Sequence, residues 1–149
     1  MLKIEINVEN SKWKKDIPGF KENIEQAVKQ TFKNVLKTSN PNLELSILLT
    51  SDNEIRKLNK LHRKKDKKTN VLAFPMNGKK SNYEMLLGDI AVSLETIIDE
   101  AKKFDISKRM YLSKMIIHGL LHLLGYDHIK NSDFLVMNKI EKEIFNKIV

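Results

Sequence analysis

Along residues 2–8 the apolar Leu2, Ile4, Ile6 and Val8 alternate with Lys3, Glu5 and Asn7, the two-residue period of a strand with one buried face. After Pro18 and Gly19 the period changes. Between residue 21 and about residue 37, Ile24, Val28, Phe32 and Val35 recur at helical spacing, and Ser39-Asn40-Pro41 closes the stretch. Leu43, Leu45, Ile47 and Leu49 alternate again as a second strand. Ser51-Asp52-Asn53, followed by Glu54, then offers side-chain acceptors to the exposed amides of a new helix. The runs 69–74 and 86–92 are short, apolar and β-branched, which predicts two more strands, joined by a polar loop carrying Gly78 and Lys79-Lys80. Three helices follow: from Ser93 or Leu94 to Lys103, from Ser107 to Leu124, and from about Ser132 to Ile148, the last with Phe134, Met137, Ile144 and Ile148 on one face. Strands gathered early and helices late predict an α+β fold, a single domain over residues 1–149 with a four-stranded mixed sheet packed by about five helices. No repeat, linker or low-complexity tract interrupts it.

Composition narrows the chemistry. The 149 residues are 41% hydrophobic, enough for one core. No run approaches the ~20 continuous apolar residues of a membrane span, and the N-terminus lacks the basic, apolar, small-residue order of a secretory signal. A cytoplasmic protein with no membrane partner is expected. The chain has Cys 0, so disulfides and thiolate metal sites are excluded, and any transition metal must be held by imidazole and carboxylate. Lys+Arg 27 against Asp+Glu 19 gives a net charge of +8. That excess suits a polyanion, because neutralising phosphates releases counterions, and it favours nucleic acid over acidic protein or lipid. A Lys- and Asn-rich composition shared across a whole proteome would produce the same excess.

Three of the four histidines fall within His118-Gly119-Leu120-Leu121-His122-Leu123-Leu124-Gly125-Tyr126-Asp127-His128. His118 and His122 are four apart, so on a helix they project from one face a turn apart and can reach one ion. Gly125 can adopt the left-handed conformation that stops a helix, letting His128 approach from another direction. Three protein nitrogens with a fourth position open to water is the arrangement of catalytic zinc, whereas structural zinc usually has four protein ligands. The alternative is three core histidines satisfied by hydrogen bonds, in a helix apolar on nearly every side. A shared cation accounts for all three together more simply. Gly119 inside a helix costs on the order of 1 kcal/mol relative to Ala, which points to close packing or substrate access there. The same residues resemble the metzincin pattern H-E-x-x-H-x-x-G-x-x-H, but Gly119 stands where those peptidases place the glutamate that activates water. Asp127 is a candidate base or a partner behind the third ligand, although an Asp beside a turn is more often a local cap.

The pattern His-Gly-x-x-His-x-x-Gly-Tyr-Asp-His is similar to the signature of the YbeY family, bacterial ribosomal RNA maturation factors regarded as metal-dependent endoribonucleases. Leu58-Asn59, Arg63, Asp66 and Thr69-Asn70-Val71-Leu72-Ala73-Phe74-Pro75 resemble a further family block, and Leu87-Gly88-Asp89-Ile90 with Glu100-Ala101 the next. The likeness spans about residues 45 to 130. Asn70 and Ala73 depart from it, standing where aspartate and serine are common. The resemblance implies one zinc ion per chain on His118, His122 and His128, a zincin-like fold similar to a shortened metalloprotease domain, and a part in small-subunit (16S) ribosomal RNA maturation and late ribosome quality control. It also places Arg63 at the family's arginine position, where a planar fork suits a phosphate whose charge rises in the transition state.

Around Arg63, Lys60, Lys64, Lys65, Lys67 and Lys68 form a basic stretch that can track a phosphate backbone, or serve only as a solvated helix end. The expected activity is single-strand-directed cleavage of RNA. Zinc would activate water or polarise a phosphoryl oxygen while Arg63 holds the phosphate. If the RNA's own 2'-hydroxyl is the nucleophile instead, DNA is inert, and no DNA substrate is expected. Two rivals stay open: a non-enzymatic ribosome-binding factor with structural zinc, and a metallopeptidase. His62 is read as a surface or RNA-contact residue. Trp13 and Tyr83 are candidates for base stacking or for ordinary packing.

Overall fold

The alternation of the first strand dictates its place in a sheet, and a computed structural model, which describes residues 1–79, 85–126 and 131–149, shows that sheet. In chain order the elements are β1 (Lys3–Val8), α1 (Lys12–Asp16), α2 (Phe20–Leu36), β2 (Leu43–Thr50), α3 (Asp52–Arg63), β3 (Val71–Lys79), β4 (Met85–Ser93), α4 (Leu94–Lys103), α5 (Lys108–Leu123) and α6 (Asn131–Ile148). The strand order is β1-β2-β4-β3. β1 pairs parallel with β2 and β2 with β4, while β3 runs antiparallel to β4 as an edge strand. This is the mixed four-stranded sheet of an α+β domain, with six helices among the described residues where about five are expected.

Register explains which face carries the core. Ile6 sits opposite Ile47, Ile47 opposite Ile90, and Ile90 opposite Ala73, so the apolar phases of all four strands coincide. α2 and α5 cover that face and bury Ile24, Val28, Phe32, Leu112, Ile116 and Leu120 against it. The opposite face carries a smaller cluster, in which Ile55 of α3 packs on Leu72 and Ala91 with Leu48, Leu58 and Phe74 around them. The site helix α5 is therefore clamped between the sheet and α6, with Met137 and Ile144 buried.

Three expectations change. α1 has a single apolar residue, Trp13, which is fully buried and donates from Nε1 to the Thr50 carbonyl oxygen at 3.1 Å. A one-turn helix without periodicity leaves no trace in the hydrophobic pattern, and the buried indole is not a base-stacking surface. β3 continues past Pro75 to pair Gly78 with Leu86 and Lys79 with Met85, across a register irregularity. Proline cannot donate to a ladder and reads as a strand end, yet an edge strand with a bulge tolerates it. Phe134 is 50% exposed although it shares the apolar side of α6. The first turns of α6, residues 131–136, are all exposed. Periodicity gives a helix's apolar face but not how far that face runs beyond the body it packs on.

Candidate active site

α5 begins at Ser107, whose Oγ accepts the Met110 amide at 3.2 Å. It ends where Gly125, at φ +99°, turns the chain. The Gly125 amide donates to the His122 carbonyl and the Tyr126 amide to the Leu121 carbonyl, the paired bonds of a Schellman turn. Between these ends Gly119 faces the sheet. A Cβ there would meet Val71 Cγ2 at 3.2 Å and Ile90 Cγ2 at 3.3 Å, so the missing side chain is what lets α5 lie against β3 and β4. Close packing therefore favours a glycine here.

On the same stretch His118 and His122 project into a cleft of about 590 Å³ whose walls include Arg63, Asn70, Val71 and Ala73. Their Nε2 atoms face one another at 3.1 Å. Nδ1 of His118 is hydrogen-bonded on its far side to Oε1 of Glu141, from α6. Two nitrogens held about 2.0–2.1 Å from one tetrahedral ion lie roughly 3.3 Å apart, so this pair fits a shared cation with little rearrangement. A carboxylate behind a ligating imidazole is the usual outer partner of such a site. Borderline-hard nitrogen donors without sulfur suit zinc. His128 and Asp127 lie outside the described residues. Among the described residues no group of three metal-ligating side chains forms.

Arg63 is the last residue of α3. Beyond it Lys64 takes the left-handed conformation at φ 58° and the chain folds back. Asn59, 2% exposed, holds that turn: Nδ2 donates to the Lys67 carbonyl at 2.9 Å and its own carbonyl accepts the Lys65 amide. The turn sorts the basic stretch. Arg63 is on the wall of the histidine cleft. Lys60 borders a separate hollow with Arg56 and Asp66, and Lys67 and Lys68 border another with Asp52. Lys68 Nζ is 3.3 Å from Asp52 Oδ2, and Arg56 Nε donates to Asp66 at 2.7 Å. Lys64 and Lys65 are exposed in the turn. The structure therefore brings Arg63 to the cleft of His118 and His122 and leaves Lys60, Lys67 and Lys68 on other hollows. His62 is exposed, with its ring 5.0 Å from that of Phe74, on the α3 side of the sheet. Tyr83 lies outside the described residues.

The cleft's rim is tied to the helices behind it. Asn70 donates from Nδ2 to Glu100 Oε1 at 2.9 Å and accepts the Val71 amide at 2.7 Å, so its side chain is engaged within the fold. Glu100 also accepts the Tyr111 hydroxyl at 3.2 Å. Burial, reinforced by the Glu100 carboxylate, pushes the Tyr111 hydroxyl up to about 12. Asp52 binds α3 to α4 by accepting the hydroxyls of Ser93 at 2.5 Å and Thr96 at 2.6 Å. Burial alone would raise its carboxyl, but these hydroxyls and Lys68 outweigh it and hold the group below its ordinary value.

Two residues escaped the sequence reading. Glu141 lies 23 positions beyond His118 in an amphipathic helix, and nothing in its spacing marks it. Asn59 was visible only as part of a family-like block, with no role attached.

The family described as Endoribonuclease YbeY matches residues 7–149. Endoribonuclease YbeY of Bartonella quintana (strain Toulouse) is 39% identical over 150 residues, covering 99% of this chain and 94% of that protein. Endoribonuclease YbeY of the Wolbachia of Drosophila simulans (strain wRi) is 37% identical over 141 residues, covering 95% and 92%. A Thermotoga maritima protein solved in solution aligns with a TM-score of 0.55 at 28% identity, over 99% of this chain and 91% of that one.

Proposed function

The chain belongs to the Endoribonuclease YbeY family, and on that premise we propose that it hydrolyses phosphodiester bonds of single-stranded RNA in the cleft between Arg63 and the paired imidazoles of α5. The observation that carries this reading is the convergence of Arg63 with His118 and His122 on one cleft from elements 55 residues or more apart in sequence. In the proposed site His118, His122 and His128 hold one zinc ion. Zinc bound there would supply Lewis acidity to the phosphodiester. Arg63 binds the scissile phosphate and stabilises its growing charge through a two-pronged contact that a lysine cannot copy. Val71 and Ala73 make one wall apolar, while the engaged side chain of Asn70 fixes the rim. The cellular reading that goes with this is maturation of small-subunit ribosomal RNA, and quality control of ribosomes, in the cytoplasm. Among the described residues no helix is long and apolar enough to cross a membrane. A peptidase is disfavoured because Gly119 stands where those enzymes place the glutamate that activates water.

The test is cleavage of ribosomal RNA by wild type, by a chelated sample, and by His118→Ala and Arg63→Ala proteins purified identically. Loss of one phosphate-binding donor set is expected to lower the rate roughly 10²–10³-fold for Arg63→Ala with the fold intact. Equal cleavage by all four samples, or by none, would replace this reading with that of a non-enzymatic ribosome-binding factor.

A further inference from the structure

A neutral imidazole can offer a lone pair from either ring nitrogen, and which one it offers is set by what the other nitrogen touches. In α5 the Nε2 atoms of His118 and His122 face each other across the cleft at 3.1 Å, so a shared ligand must be met from Nε2. Within α5 the facing His122 Nε2 can donate or accept, so that contact leaves the choice for His118 open. The partner of its Nδ1 comes from a different helix, Glu141 of α6. We infer that Glu141 is a positioning residue, accepting a hydrogen bond from the Nδ1–H of His118 so that the Nε2 lone pair is directed into the cleft.

Several features favour orientation over a simple clip between helices. The Glu141 side chain is 14% exposed and that of His118 25%, so water competes weakly for their hydrogen bond. Met137 and Ile144, four residues before and three after Glu141, are buried in the core and lie on the same side of α6. The apolar contacts of those two residues already dock α6 on the body and do not need a carboxylate. A nearly buried carboxylate at such a helix interface is costly unless it answers a specific donor. Lys114 and Lys142 border a recess of about 70 Å³ beside Glu141, yet the hydrogen bond of Oε1 goes to the imidazole. Because carboxylates accept only, this contact fixes both the tautomer and the ring's rotation.

The consequence for metal binding rests on the proposed zinc site, whereas the tautomer does not, and the experiment separates the two. Long-range nitrogen–proton NMR on the metal-free wild type at about pH 8, above the usual imidazole range, is expected to show His118 protonated on Nδ1 and bare on Nε2. The isosteric Glu141→Gln protein preserves shape but presents either an amide N–H or a carbonyl to Nδ1. It is expected to show mixed tautomers at His118, and zinc affinity lowered roughly 10–100-fold in a competition with a chromophoric chelator. Circular dichroism should report the same helicity for both proteins. A clip between helices would instead lower the melting temperature and leave tautomer and affinity as in wild type, which overturns the inference. So would a wild-type His118 bare on Nδ1, a measurement that needs no variant. If wild type binds no zinc while its tautomer is as expected, the zinc reading falls and the positioning role stands. If wild type and Glu141→Gln bind zinc equally well, the positioning role falls and the zinc reading stands.

Discussion

Gly119 shows how one residue can carry two opposed energies. In an exposed helix, replacing glycine with alanine gains about 1 kcal/mol by restricting the unfolded chain. Here the added methyl meets Val71 and Ile90 at 3.2 to 3.4 Å. Ile90 is fully buried in a central strand and has little room to yield. Overpacking of this kind costs about 1–3 kcal/mol, so Gly119→Ala is expected to lose roughly 1 kcal/mol net in urea unfolding. A gain in stability would mean that α5 can lift from the sheet, and the tight approach would then not be what the glycine serves. The residue types at this site were legible from the chain alone. Two histidines four apart on a helix, with a glycine three positions later, leave few other arrangements. Glu141 was not legible, because an acidic residue in an amphipathic helix is ordinary until another helix brings an imidazole to it.

At the scale of elements, the joints are polar. α3 and α4 meet through Asp52, which accepts Ser93 and Thr96 and pairs with Lys68. The folded state holds this carboxyl below its ordinary value near 3.8, so it binds the proton less tightly than the unfolded chain does. The stabilisation is complete above that ordinary value and disappears as pH falls through the lowered one. Urea midpoints of wild type and Asp52→Asn are therefore expected to differ at pH 7 and to approach each other only as pH falls below 3.8. A difference that stays constant with pH would assign the effect to packing instead. The elements themselves were largely readable because α2 and α4 each bury one face, and β1 and β2 keep a two-residue apolar period. Failures came where a local signal was overruled. Pro75 ends a strand in isolation but not on a bulged edge, and α1 holds one tryptophan whose pocket is assembled by the Thr50 carbonyl from another strand.

The whole molecule is joined at Glu100, which accepts Asn70 from the segment before β3 and Tyr111 from α5. Tyr111 is pushed from its ordinary value near 10 up to about 12. Since the folded state keeps this proton longer, stability is expected to be unaffected below about pH 10 and to fall as pH rises toward 12. Tyr111→Phe should flatten that decline in guanidinium unfolding, and an equal slope in both proteins would place the alkaline sensitivity elsewhere. By itself the sequence determined the fold class, the sheet's apolar phase and the histidine pair, because periodicity and helical spacing are local and survive without knowledge of neighbours. Tertiary structure alone decided that Arg63 shares a cleft with those histidines while Lys60, Lys67 and Lys68 border other hollows, and that Glu141 stands behind His118. The physical reason is one of distance along the chain. A turn's exact path, hung here from the side chain of Asn59, and the docking angle of two helices are set by sums of many weak contacts between remote residues, and no single residue's spacing encodes such a sum.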